Sequence, residues 1–204
     1  MEFWEKNFQD KQMMWGEGPT ESALFARDYF LKQDVTNVLI PGVGYGRNAI
    51  PFLDADMTVT GIEISQTAID LARSEMKLDI TIHHGSVSEM PFDDKKYDGI
   101  FSHALVHLLD EEQRKKFIKN CYSQLAQGGT LIITAITTKA PSYGMGTLIG
   151  PNRYEQHGGV QIFFYDEDIV RREFGEYGLV ELREISESSG ASVMPFLVAV
   201  CTKK

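Results

Sequence analysis

From residue 35 onward, short apolar runs alternate with amphipathic stretches. Asn37-Val38-Leu39-Ile40 is an apolar run stopped by Pro41-Gly42, the pattern of a buried strand. Residues 47–53 have the character of a first helical turn. Residues 57–64, MTVTGIEI, form a β-branched run that predicts a second strand. Over 66–76 the apolar positions Ala68, Ile69, Ala72 and Met76 recur at helical spacing. Short runs at 80–83 and 97–101 predict two more strands. Residues 111–125 predict a helix with Phe117, Ile118, Tyr122 and Leu125 on one stripe. Gly128-Gly129 stops it before the strongly β-branched strand TLIITAI, 130–136.

Near-continuous apolar strands separated by helical stretches predict an α/β fold, a doubly wound parallel sheet covered on both faces. The last third departs from the pattern. Residues 139–159 are rich in Gly, Pro, Ser and Tyr and show no period, so they predict a long functional or mobile loop. A helix follows over 166–174. Residues 180–185 and 193–201, separated by SESSGAS, then predict an antiparallel hairpin.

Composition narrows the function classes. The chain has 204 residues, the size of one domain with a small appendage. Its 29 acidic residues outnumber 20 basic ones, a net charge of −9 that argues against nucleic acid and against an anionic membrane surface as partner. Cys121 and Cys201 have no ligand-like spacing, and no metal site is expected. The first residues lack an apolar leader core, and no run approaches the roughly 18 apolar residues of a membrane span. The expectation is a cytoplasmic protein, a monomer or homodimer. The run Arg114-Lys115-Lys116 is expected on the solvated face of its helix.

The chemistry concentrates at VLIPGVGYGRNA. A strand ends, and glycines at 42, 44 and 46 allow a ligand to lie against the main chain. Glu63 closes the next strand, 17 residues after Gly46, where a carboxylate can accept both hydroxyls of a ribose. The spacing G-x-G-x-G, with Arg47 where a dinucleotide site favours glycine, fits a cofactor without a pyrophosphate. S-adenosylmethionine meets that requirement.

With VTGIEIS, HHGSVSEMPF, YDGIFSHALVHLL and LAQGGTLIIT, the chain resembles the class I S-adenosylmethionine-dependent methyltransferases from about residue 35 to its end. The resemblance implies a Rossmann-like seven-stranded sheet in the order 3-2-1-4-5-7-6, with strand 7 antiparallel and helices on both faces. Residues 1–34 become an N-terminal lid, 35–204 the methyltransferase domain, and 139–165 a substrate-cover loop. Gly42, Gly44 and Gly46 would face the methionine part of the cofactor. Glu63 would hold the ribose, and Ile64 would lie on the adenine. Ser86 and Val87 would meet the adenine edge, and Ser102 would approach from the other side. Trp15 is a further candidate for cofactor contact. The sequence departs from the family at Ile40 and Ser86, where many members carry acids.

The stretch FWEKNFQDKQMMWGEGPTESAL with GIEIS is similar to thiopurine and thiol S-methyltransferases, and GRNA to tellurite-resistance methyltransferases. The expected activity is methyl transfer to a small-molecule acceptor, a thiol or chalcogen or another small nucleophile, leaving S-adenosylhomocysteine. Candidates for orienting or deprotonating the acceptor are His103, His107 and Tyr143, with His157 in the long loop. Two alternatives stay open at this level: a non-catalytic module that holds the cofactor or its product, and an NAD-dependent oxidoreductase.

Overall fold

The computed structural model describes residues 2–189 and 192–204. Its elements run α1 (Glu2–Lys11), α2 (Glu21–Leu31), β1 (Asn37–Pro41), α3 (Ile50–Leu53), β2 (Thr58–Glu63), α4 (Gln66–Ser74), β3 (Thr81–His84), β4 (Tyr97–Ser102), α5 (Glu111–Gln124) and β5 (Leu125–Ile136). They continue with β6 (Thr147–Gly150), β7 (Arg153–Glu155), β8 (Gln161–Phe163), α6 (Glu167–Phe174), β9 (Leu179–Ser189) and β10 (Ser192–Thr202). No helix among the described residues is long and apolar enough to cross a membrane.

Seven strands form one sheet in the order β3-β2-β1-β4-β5-β10-β9. β1 pairs in parallel with β2 and β4, while β10 runs antiparallel to β5 and to β9. This is the sheet the sequence led us to expect, with one antiparallel strand near the edge. Such a sheet needs cover on both faces. One layer packs Phe30, Phe52, Ile69 and Phe101 at full burial, and the other packs Phe117, Tyr165 and Phe174.

Three segments differ from the sequence reading. The helix after the glycine turn begins at Ile50 rather than near residue 47, because residues 43–49 are spent on successive turns. Residues 139–165 are not a bare loop: β6, β7 and β8 make a small antiparallel sheet. Arg114 is not solvated. It is 4% exposed, its guanidinium lies 3.9 Å from the Phe163 ring centroid, and it pairs with Glu173 at 3.3 Å. The hairpin tip at residues 190–191 lies outside the described residues.

The N-terminal segment is built as two helices and docks on the sheet's carboxyl edge. Glu5 on α1 accepts hydrogen bonds from Ser65 Oγ (2.6 Å), Thr67 Oγ1 (2.5 Å) and Thr67 N (3.3 Å) at the start of α4. A carboxylate there also meets the positive end of the helix dipole. These bonds hold the Glu5 carboxyl at about 2, below its ordinary 4.5. Because the folded value is depressed, the docking energy is present above pH 4.5 and lost as pH falls toward 2. Tryptophan fluorescence from Trp4 and Trp15 should report undocking across that window. In Glu5→Gln the emission should already be shifted at pH 7 and should change little down to pH 3.

Candidate active site

The carboxyl ends of β1, β2 and β4 open into one cavity of about 650 Å³. Clefts of this size are usual for small ligands. Its outer part is formed by the glycine turn, the end of β2 and the N-terminal segment. Its inner part lies among the residues after β4 and Glu187, Ser188, Met194 and Phe196 of the β9–β10 hairpin.

The outer part is organised by a buried acid. Glu63 is 5% exposed. Its Oε2 accepts from Gly44 N at 2.8 Å, and its Oε1 accepts from Ile64 N and Ser65 N, each at 2.9 Å. Burial pushes its carboxyl upward, and the three amides pull the other way. The side chain therefore ties the glycine turn to the end of β2. Oε2, with a single amide partner, keeps lone-pair capacity toward the cavity. Gly44 has φ +59°, and a Cβ there would meet only Phe8 Cζ at 3.9 Å, projecting into the open cleft. The cleft is thus a cradle kept free of side chain at the turn.

Of the residues singled out from sequence, Trp15, Gly42, Gly44, Glu63, Ile64, Ser86, Val87, His103 and His107 line this cavity. Gly46 does not: its φ of +87° is what calls for glycine, and it faces Leu78 and Ala72 rather than the cavity. Ser102 is fully buried in β4 and donates to Pro41 O at 3.0 Å, bracing β1 against β4. Tyr143 stands outside. Its hydroxyl bonds Asn152 Oδ1 at 3.0 Å, and its ring packs on Tyr154 and Phe164 in the small sheet. The side chain of His157 lies outside the described residues.

Trp15 closes the outer rim. Its ring stacks on Tyr45 (6.2 Å, 15°) with Phe8 at its edge. The loop carrying it is held by Tyr45 Oη donating to Gly16 O (2.6 Å) and by Arg47 donating to the carbonyls of Trp15 (2.6 Å) and Gly18 (3.2 Å). The residue that breaks the dinucleotide pattern therefore clamps the N-terminal segment.

The inner part brings together segments distant in sequence. His103 follows β4, just before Ala104, whose backbone is left-handed (φ +53°) and whose N–H bonds Thr134 Oγ1 at 3.0 Å. A non-glycine residue in that region costs energy and is held there by its surroundings. His103 Nδ1 lies 3.0 Å from both Ser22 Oγ and Thr134 Oγ1, and 3.9 Å from Glu187 Oε1. Glu187 accepts from Glu21 N and Ser22 N, each at 2.9 Å, capping α2. Asn48 Oδ1 takes Thr20 N (3.0 Å) and Thr20 Oγ1 (3.1 Å) at the same helix end. His107 Nδ1 accepts from Ile136 N at 3.3 Å, and Phe196 lies 5.2 Å from the His103 ring and 6.0 Å from the His107 ring.

Sequence reasoning missed Glu187, Met194, Phe196, Arg47 and Thr20 as wall residues. The one available signal was alternation: Met194 and Phe196 are two apart on β10, and Met194 pairs with Glu187, so all three share a face.

Burial holds both imidazoles down at about 3. For a histidine depressed in the folded state, the unfolded chain binds protons first. Stability from these two rings is therefore full above about pH 6.5 and lost as pH falls toward 3. Urea unfolding at pH 7 and pH 4.5 should give a large drop in stability. His107→Gln, less stable at pH 7, should lose distinctly less over the same interval.

Residues 38–129 match the family described as a methyltransferase domain. A tRNA N(3)-cytidine methyltransferase of Danio rerio is 25% identical over 162 residues, 72% of this chain. An uncharacterized methyltransferase of Anoxybacillus flavithermus is 35% identical over 101 residues, 49% of this chain. The chain spans 46% of the length of each of these curated relatives. Among solved structures, the 1,6-didemethyltoxoflavin-N1-methyltransferase of Burkholderia thailandensis, with its substrate and S-adenosylhomocysteine bound, superposes with a TM-score of 0.77 at 15% identity, covering 98% of this chain and 85% of that one. Residues 38–129 are thus similar to the methyltransferase domain family, and the chain as a whole has the fold of a solved small-molecule methyltransferase.

Proposed function

We propose that the chain transfers a methyl group from S-adenosylmethionine to a small-molecule acceptor, a thiol or chalcogen or another small nucleophile. The observation that carries this reading is the single cavity with two differently built parts, a glycine-and-acid cradle outside and a histidine-and-aromatic chamber inside. Gly42 and Gly44 would take the methionine part of the cofactor. Glu63 would accept from the ribose through its free lone pair, Ile64 would lie on the adenine, and Ser86 and Val87 would meet its edge. When bound, the cofactor supplies a methyl already activated on a sulfonium.

The chain's own share is placement and exclusion of water. Trp15, Phe8 and Trp4 lie along the outer wall. Holding two reactants in line can lower the barrier by roughly 7–11 kcal/mol. The net charge of −9 favours a small acceptor over a polyanion. The Danio rerio relative acts, by its name, on tRNA, so tRNA belongs in the test.

Calorimetry should show S-adenosylhomocysteine binding with no comparable binding of NAD. Glu63→Ala should weaken it roughly ten- to hundredfold, the scale of losing charged hydrogen bonds. Gly44→Val should abolish it, through both the positive φ and the added side chain. A radiolabelled methyl screen over thiols, amines, carboxylates, metalloid oxyanions and tRNA should label a small acceptor. Labelling of tRNA alone, or NAD binding in place of the homocysteine nucleoside, would overturn the reading.

A further inference from the structure

We infer that His103 and His107 present opposite hydrogen-bonding atoms to the acceptor, a lone pair at His103 Nε2 and an N–H at His107 Nε2. The acceptor is then a flat, neutral molecule whose nucleophile still carries its proton, as N–H or O–H, beside a carbonyl oxygen or ring nitrogen. This rests on the methyl-transfer reading and narrows its substrate class.

The tautomers follow from counting protons. His107 Nδ1 accepts the Ile136 amide, so its proton is on Nε2. At His103 the count runs through a chain of hydroxyls. Thr20 Oγ1 donates to Asn48 Oδ1, so at the 3.2 Å contact between the two hydroxyls the donor is Ser22. Ser22 Oγ, its hydrogen spent, accepts from His103 Nδ1 at 3.0 Å. Thr134 Oγ1, also 3.0 Å from Nδ1, takes the Ala104 amide on one lone pair and can accept from Nδ1 on the other, whereas an unprotonated Nδ1 would face the Ser22 oxygen lone pair to lone pair; the Glu187 carboxylate 3.9 Å away further favours a proton on Nδ1. His103 Nε2 is left as an acceptor. Both rings line the cavity, and neither Nε2 has a protein partner among the described residues.

Phe196 lies against both rings and offers a flat apolar face beside this donor–acceptor pair. A carboxylate or phosphate acceptor would meet the His103 lone pair and the Glu187 carboxylate. An N–H or O–H beside a carbonyl satisfies both imidazoles at once. As the nucleophile's lone pair forms the bond to the methyl carbon, the carbon–sulfur pair returns to sulfur. The nucleophile's proton, made acidic by that bond, passes to His103 Nε2 and then to water.

The test uses the full chain, labelled with ¹⁵N-histidine and saturated with S-adenosylhomocysteine at pH 7. Its probes are 2-pyridone, with N–H beside C=O, and N-methyl-2-pyridone, which lacks the donor. We expect His103 as the Nδ1–H tautomer and His107 as Nε2–H. Adding 2-pyridone should shift both Nε2 resonances, with an affinity at least about tenfold above that of the N-methyl compound, the cost of one unpaired group. The same tautomer at both histidines would overturn the inference, as would equal or undetectable binding of the two probes. Failure to bind S-adenosylhomocysteine would instead bring down the methyl-transfer reading, and this inference with it.

Discussion

A carboxylate taken out of water must find hydrogen-bond donors, and Glu63 finds three in the backbone amides of Gly44, Ile64 and Ser65. That requirement shapes the outer half of the site. The glycine turn can stay open only if something holds it in place, because a residue without a side chain makes no packing contacts of its own. Glu63 supplies the hold from the neighbouring strand. The parallel pairing of β1 and β2 sets the register that makes the reach possible, with Pro41 beside Ile62. Cradle and sheet are therefore one object.

A second buried acid organises the inner half in the same way. Glu187 caps α2 from the C-terminal hairpin and stands behind His103, while Asn48 grips Thr20 from the glycine turn. N-terminal segment, turn, hairpin and the segment after β4 are thus joined by hydrogen bonds among largely buried groups. In such a network each group left unpaired costs more than an exposed one would. The chamber should accordingly behave as a rigid unit, with Arg47 and Trp15 at its outer edge.

The legible features were those written in local pattern. Strand runs such as TLIITAI and the helical stripe through Ala68 and Ala72 carry their periodicity within a few residues, so sheet class and the glycine turn could be read, while the strand order came from the family resemblance. Less legible were features whose cause lies across space. Gly46 and Gly44 look alike in sequence and both hold a positive φ, but one faces Leu78 and the other faces the cavity. Arg114 sits in a basic run like a surface residue, yet Phe163 and Glu173, brought by later segments, enclose it. Tyr143 looked like a pocket aromatic until Tyr154 and Phe164 claimed it for the small sheet.

The sequence by itself determined the α/β sheet, its antiparallel strand near one edge, the glycine turn and the acid that answers it. Each depends on spacing along one or two neighbouring elements. Only the tertiary structure decided which side chains face the inner chamber and which tautomer each histidine takes. Those outcomes depend on hydrogen-bond partners about 30 to 80 residues apart along the chain, such as Ile136 for His107 and Ser22 for His103, which meet only when the N-terminal segment packs on the folded sheet.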